Sequence, residues 1–117
     1  MNKTGILGEM AAVRYLRKKR YKIITTNYRC RFGEIDVICE KKGYIVFAEV
    51  KTRGENAIAS PMEFVDAAKQ RRLALAASLY LSTHETNLQP RFDVLEVLCV
   101  NSKIKSVKHL ENAFEIY

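Results

Sequence analysis

The sequence predicts an α/β domain of the mixed α+β type, with one mixed β-sheet flanked by helices. Three observations predict this class: apolar residues at helical spacing near the N-terminus, three consecutive segments rich in β-branched and aromatic residues, and a long helical segment before the next strand. A helix of that length suits a crossover connection, so the third and fourth strands are expected to be parallel with a right-handed link. A chain of 117 residues is long enough for one core, so residues 1–117 are expected to form a single domain.

The first element is predicted to be an amphipathic helix that starts from a Thr4 cap and ends near Arg20. The apolar residues at helical spacing are Ile6, Met10, Val13 and Leu16.

A three-stranded meander follows the helix. Strands are predicted over Tyr21–Arg29, Glu34–Glu40 and Tyr44–Lys51, with a turn over Cys30–Gly33 and a tight connection over Lys41–Gly43.

A second helix is predicted from the sequence Ser60-Pro61-Met62-Glu63, which combines a Ser cap, Pro at the first helical position and Glu three residues after the cap. The helix should run to about Ser82 with a break near Asp66, after a loop over Arg53–Ala59. The side chains expected to be buried are Val65, Ala68, Leu75 and Leu79.

The C-terminal part is predicted to be a loop and a hairpin. A loop over His84–Pro90 leads into a strand over Arg91–Val100, and Asn101-Ser102 turns the chain into a last strand over Lys103–His109. The tail Leu110–Tyr117 is expected to pack its apolar residues against the rest of the domain.

The charge of the chain favours an anionic partner. Lys and Arg number 20 against 13 Asp and Glu, a net charge of +7, and 16 of these basic residues lie within residues 1–72. Nucleic acid is the leading partner class and an anionic membrane surface is its rival, while a charge that serves only solubility stays open.

Other classes of site have little support. Three cysteines without a CxxC pair indicate neither a disulfide framework nor a zinc ribbon, and they fit a reducing cytoplasm. Glu9 and Arg14 interrupt any signal-peptide pattern, and no apolar run reaches the ~20 residues of a membrane span. His84 and His109 have no partner ligand at metal spacing, and Asp93 is expected to be a structural hydrogen-bond acceptor.

The third strand separates two kinds of side chain. Val46, Ala48 and Val50 share one face, and their apolar character marks it as the core side. Glu49 and Lys51 share the opposite face with Phe47.

Acidic side chains of the second and third strands are expected to meet. A connection of two or four residues places Asp36 opposite Glu49, with Cβ atoms ~5 Å apart, close enough to share a divalent cation. It also places Glu34 opposite Lys51. A three-residue turn with a bulge would shift this register, and an exposed network in which Lys51 neutralises the acids is the alternative.

Glu9 lies inside the apolar stripe of the first helix. A carboxylate directed toward a core needs a partner, because its burial alone costs several kcal/mol. That partner is either a basic side chain or the cation that the other acids would share.

Five segments of the chain resemble the YraN-type family of small bacterial proteins. They are Gly8-Glu9, Gly33–Ile38, Val46–Arg53, Lys69–Leu73 and Arg91–Val94. That family is grouped with the PD-(D/E)xK restriction-endonuclease-like nucleases and is similar to archaeal Holliday-junction resolvases. The resemblance implies a three-layer core of order α-β-β-β-α-β, here with an extra C-terminal strand.

The resemblance also implies a site and an activity. Asp36, Glu49 and Lys51 would be catalytic, and Glu9 would join the two acids as a ligand of Mg²⁺ or Mn²⁺. The expected activity is endonucleolytic hydrolysis of DNA phosphodiester bonds, including those of branched DNA, by a cytoplasmic protein that can act as a homodimer. The alternatives are a nucleic-acid-binding module without catalysis and a basic adaptor for protein or membrane. The residues expected to contact nucleic acid are Arg29, Arg31, Arg53, Lys69, Gln70 and Arg71.

Overall fold

The computed structural model describes residues 3–54 and 65–115. Its elements are α1 (Lys3–Lys18), β1 (Lys22–Cys30), β2 (Gly33–Lys41), β3 (Tyr44–Arg53), α2 (Ala67–Thr83), β4 (Gln89–Val100) and β5 (Lys103–Phe114). This order, with helices on both faces of one mixed sheet, confirms the predicted fold class. Neither described helix is long and apolar enough to span a membrane.

The strands form one sheet in the order β1-β2-β3-β4-β5. The pair β3–β4 is parallel, as the crossover helix α2 requires, and the other pairs are antiparallel. The sheet follows chain order, so each new strand is added at the edge beside the one before it.

The β2–β3 hairpin has a two-residue connection, Lys42-Gly43, which is one of the two lengths that give the predicted register. Lys42 and Gly43 have φ of 48° and 88°, which is the pattern of a type I′ turn. Paired residues run from Lys41 opposite Tyr44 to Val37 opposite Ala48, which confirms the predicted register over that length.

Both faces of the sheet are buried, which corrects the expectation of one core side. Ala12 and Leu16 of α1 pack with Val46 and Ala48. On the other face, α2 packs over Phe47, which is 2% exposed. A strand between two helical layers is apolar in both directions, so alternation on β3 cannot identify a solvent side.

The buried face of α2 differs from the predicted one. Leu73, Ala76, Ala77 and Tyr80 are buried. Val65 is buried as predicted, but Ala68 and Leu75 are exposed and Leu79 is half-buried. The sequence of α2 carries apolar residues around much of its circumference, so helical spacing alone fits more than one face.

The start of α2 is described from Asp66 onward. Asp66 is the N-cap, and its carboxylate accepts a hydrogen bond of 2.8 Å from the amide of Lys69. The predicted break near Asp66 is therefore a helix start. The capping signature at Ser60–Glu63 lies outside the described residues.

The last strand is longer than predicted. β5 continues past His109 to Phe114, and Leu110, Ala113 and Phe114 pack against the core on the α2 side. Its ladder with β4 shifts register between Phe92 and Val94. This irregularity interrupts the alternation of side chains, so the sequence pattern of the tail does not predict a strand.

Candidate metal centre

Strand β2 changes the facing of its side chains at Asp36. Ile35 and Ile38 both belong to the α2-side cluster, whereas Val37 lies in the α1-side cluster. In a regular strand Ile35 and Val37 would share a face, so the alternation breaks between Ile35 and Ile38. The paired residues of β2 and β3 end at Val37, and the Asp36 carboxylate accepts a hydrogen bond of 2.8 Å from the amide of Val50. Asp36 therefore lies where the two strands separate.

Three carboxylates converge at this opening. Glu9 of α1, Glu34 and Asp36 each offer an oxygen that lies within 4.8 Å of the other two. The side-chain amide of Asn27 donates to both Glu9 and Glu34, at 2.8 Å each. Asn27 has a φ of 52°, a conformation that Asn tolerates better than most residues. The structure therefore brings Glu9 to Asp36, and the half-buried Glu9 has an amide rather than a basic side chain as its hydrogen-bond partner.

Glu34 is a member of this cluster that the sequence interpretation did not count as a ligand. Regular alternation along β2 would place Glu34 opposite Lys51 in the hairpin. The break at Asp36 brings Glu34 toward Glu9 instead, with Arg29 Nε 3.5 Å from its outer oxygen. The sequence signal for Glu34 as a ligand is its position two residues from Asp36, because residues two apart in a regular strand share a face.

Glu49 approaches Asp36 from β3 and is 6% exposed. Its Oε1 lies 2.6 Å from Nζ of Lys69, in the first turn of α2. The alternative of an exposed acidic network is therefore wrong for Glu49. Asp36, Glu49 and Lys69 line a small cleft of about 220 Å³ together with Glu34 and Arg72.

Burial and the neighbouring acids together raise the pKa of Asp36 to about 7. Burial is the largest cause, followed by the charge of Glu49; the hydrogen bond from the Val50 amide opposes them, and the charges of Glu9 and Glu34 add to the rise. Lys69 pairs with Glu49 and the exposed Arg29 approaches Glu34, while the charges of three acids act on Asp36. Such a set of hard oxygen donors fits Mg²⁺ or Mn²⁺, because a divalent cation would offset the excess negative charge.

Lys51 and Arg53 continue along β3 beyond Glu49, and both are half-buried. Arg53 Nε lies 3.6 Å from a carboxylate oxygen of Glu96 on β4. Gln70 donates to the carbonyl of Val65 at 2.7 Å, so it takes part in a local network at the start of α2. Among the predicted nucleic-acid contacts, Arg53 and Gln70 thus already have protein partners.

The other predicted contacts lie on the outside. Arg29, Arg31 and Arg71 are exposed, and the Arg31 guanidinium lies 4.9 Å from the ring centre of Phe32. Lys69 is the predicted contact nearest the acids, through its ion pair with Glu49. Exposed cations beside a carboxylate cluster can hold the phosphates of a polyanion around a bound metal.

A separate polar network surrounds Asp93, which is 1% exposed. Arg91 contacts it through two hydrogen bonds of 2.8 and 2.7 Å, and it also receives bonds from His109 Nε2 at 2.7 Å and the Asn112 amide at 3.0 Å. Burial alone would raise the pKa of Asp93, but the bonds from His109 and Arg91 hold it below its usual value. Asp93 is thus a structural acceptor, as predicted.

Comparisons with known proteins place these residues within one family. Residues 8–97 match the family described as "Uncharacterised protein family UPF0102". A UPF0102 protein of Alkaliphilus oremlandii is 44% identical over 115 residues, which cover 96% of this chain and 97% of the relative. A UPF0102 protein of Caldanaerobacter subterraneus subsp. tengcongensis is 43% identical, and the match covers 94% of this chain and 93% of the relative. One from Symbiobacterium thermophilum is 50% identical over 81% of each chain.

Proposed function

The chain belongs to the uncharacterised protein family UPF0102, and we propose that it is a metal-dependent endonuclease that hydrolyses phosphodiester bonds of DNA. The observation that carries this proposal is the convergence of Glu9, Glu34 and Asp36 where β2 and β3 separate, with Glu49 beside Asp36 in the adjoining cleft. Burial beside three other acids disfavours the charged form of Asp36, and a bound cation would offset this repulsion. The resemblance of the acid and lysine pattern to restriction-endonuclease-like nucleases supports the same activity.

Glu9, Glu34, Asp36 and Glu49 would hold Mg²⁺ or Mn²⁺, which supplies Lewis acidity toward a phosphoryl oxygen and a bound water of lowered pKa. Lys51, two residues beyond Glu49 on β3, would offer an ammonium to the negative charge that develops on the phosphate.

Lys69 has a second part in the proposal. Its ammonium neutralises Glu49 in this structure. Competition for Glu49 from a divalent cation would release Lys69 toward the substrate, beside Arg72 in the same cleft. Contacts of this kind hold the phosphate backbone without reading its sequence. Branched DNA would require two copies of the chain, because two strands need two sites.

Cleavage by purified protein tests the proposal. We expect duplex, single-stranded or four-way-junction DNA to be cut in Mg²⁺ or Mn²⁺, and Glu49→Gln to lower the rate by at least about 100-fold. Glu85→Gln, which removes the same charge from the exposed segment after α2, is the matched control and should cut normally. Cleavage that survives Glu49→Gln or excess chelator would refute the mechanism.

The ion pair between Lys69 and Glu49 favours one other function, a nucleic-acid-binding module without catalysis. A lysine that permanently satisfies Glu49 would take the place of the metal. This function predicts salt-dependent DNA binding with no cleavage in any divalent metal, and binding that is unchanged by chelator.

A further inference from the structure

A large cleft lies on the α1 side of the sheet, between α1 and β1. Its volume is about 740 Å³, within the range of small-molecule and nucleotide sites, roughly 300–1,000 Å³. Thr26 and Asn27 of β1 form one wall and α1 forms the other. Glu9 and Asp36 both line this cleft, so it opens directly onto the candidate metal centre.

The α1 wall is apolar next to the acids. Ile6, Met10 and Val13 line the cleft, and Met10 and Ile6 are 56% and 47% exposed. They lie on one side of the helix, since residues three and four apart are neighbours on its surface. Exposed apolar side chains grouped in a concave site are typical of a binding surface.

The far end of the same wall is basic. Arg14, Arg17 and Lys18 follow Met10 along the cleft. From Ile6 to Lys18 the helix rises about 18 Å, so the wall runs from an apolar stretch at the acids to a cationic stretch within that length. The ligand that matches this order has an apolar face followed by negative charges.

We propose that this cleft binds an unstacked nucleotide of the substrate strand, next to the phosphate held at the metal centre. The base lies against Ile6, Met10 and Val13, and the adjoining phosphates lie along Arg14, Arg17 and Lys18. This inference rests on the proposed function, because the metal centre fixes which phosphate is cut. In an intact duplex the base faces are stacked and paired, so the preferred substrates carry unpaired nucleotides, as at gaps, single-stranded tails or branches.

Binding affinity tests the inference separately from cleavage. Fluorescence anisotropy in Ca²⁺, with the DNA checked for integrity afterwards, compares an intact duplex with the same duplex carrying a short single-stranded gap. Met10→Ser should weaken binding to the gapped DNA about fivefold through lost apolar contact and leave the intact duplex unchanged. Ile104→Ser, an equally polar change at an exposed residue of β5, should alter neither affinity.

Photocrosslinking locates the nucleotide directly. A 4-thiothymidine in the gap should label the tryptic peptide Thr4–Arg14, which contains the apolar wall. Equal weakening of both DNAs by Met10→Ser, no weakening of either, or labelling confined to other peptides would overturn the inference. So would a dimer that Met10→Ser dissociates without changing DNA affinity, because the cleft would then belong to a second copy.

The two proposals fail in different ways. Gap-specific binding and labelling without cleavage in Mg²⁺ or Mn²⁺ would refute the nuclease and support the nucleotide site. Cleavage that depends on Glu49, with labelling elsewhere, would refute the nucleotide site alone.

Discussion

At the scale of single residues, Asp36 links the fold to the proposed chemistry. Its carboxylate accepts a hydrogen bond from the Val50 amide at the point where β2 and β3 separate, and this position exposes it to the charges of Glu49, Glu9 and Glu34. Burial and these charges raise the pKa of Asp36 to about 7, so it holds a proton over a wider pH range than an ordinary aspartic acid.

This proton predicts how stability depends on pH in chelator. The pKa of Asp36 is raised on folding, so its contribution to the free energy of unfolding is complete below about pH 4 and is lost as the pH rises through about 7. Asp36→Asn cannot ionise and escapes this loss. The free energy of unfolding of the variant, relative to that of the wild type, should therefore rise by about 1–3 kcal/mol between pH 4 and pH 8.

Urea denaturation over that pH range measures the difference. Glu85→Gln, at an exposed position, should follow the wild-type curve. A difference between Asp36→Asn and the wild type that does not vary with pH would show that folding does not raise the pKa of Asp36.

The residue types and spacing of the acids were predictable from the sequence, whereas Glu34 as a ligand was not. The type I′ turn at Lys42-Gly43 fixes the hairpin register up to Val37 opposite Ala48, which brings Asp36 near Glu49, but the strands separate before these two residues pair. The convergence of Glu34 on Glu9 depends on the break in β2 and on the Asn27 amide, which are tertiary features.

At the scale of elements, α1 delivers Glu9 to the sheet through a close contact at Gly8. A Cβ built on Gly8 would overlap Oγ1 of Thr52 on β3. A larger side chain there requires movement of the Thr52 side chain or of the helix. The glycine thus sets how closely α1, and with it Glu9, approaches the strands that carry the other acids.

Gly8→Ala should destabilise the protein by about 1–3 kcal/mol, because the new methyl group must displace the Thr52 side chain or move α1 away from β3. Alanine normally favours a helix over glycine by up to ~1 kcal/mol, so the sign of the change is informative. Chemical denaturation measures it, with Gly54→Ala as the control, since a Cβ at Gly54 meets no atom within 4 Å. A Gly8→Ala protein more stable than the wild type would contradict the close contact.

The elements differ in how well local patterns predict them. The first three strands and the parallel β3–β4 pair follow from β-branched segments, turns and the crossover length. The buried face of α2 and the extension of β5 to Phe114 do not, because apolar residues surround α2 and a register shift interrupts β5. In both cases the packing partner decides, and it is distant in sequence.

At the scale of the whole molecule, charge is divided between a basic exterior and an acidic opening. The net charge of +7 is a sum over the whole chain, so it does not show that several carboxylates are gathered at one opening. A polyanion would be attracted by the outer cations, and a divalent cation by the carboxylates that they flank.

Charge reversal at Arg17 tests this division. Arg17→Glu, in the cleft beside α1, should weaken DNA binding about tenfold at low salt and reduce the slope of log affinity against log salt by about one or two. Lys105→Glu makes the same change on an exposed residue of β5 and should have a smaller effect. Equal effects would mean that the net charge, rather than its location, controls binding.

The carboxylates at the separation of β2 and β3 are proposed to hold a divalent cation. Anomalous X-ray scattering from crystals soaked in Mn²⁺ would locate the ion by its own signal. We expect a peak bonded to Asp36 and to at least one of Glu9, Glu34 and Glu49, with metal–oxygen distances near ~2.2 Å. A Mn²⁺ peak elsewhere, with Asp36 unligated and Lys69 still paired with Glu49, would contradict it.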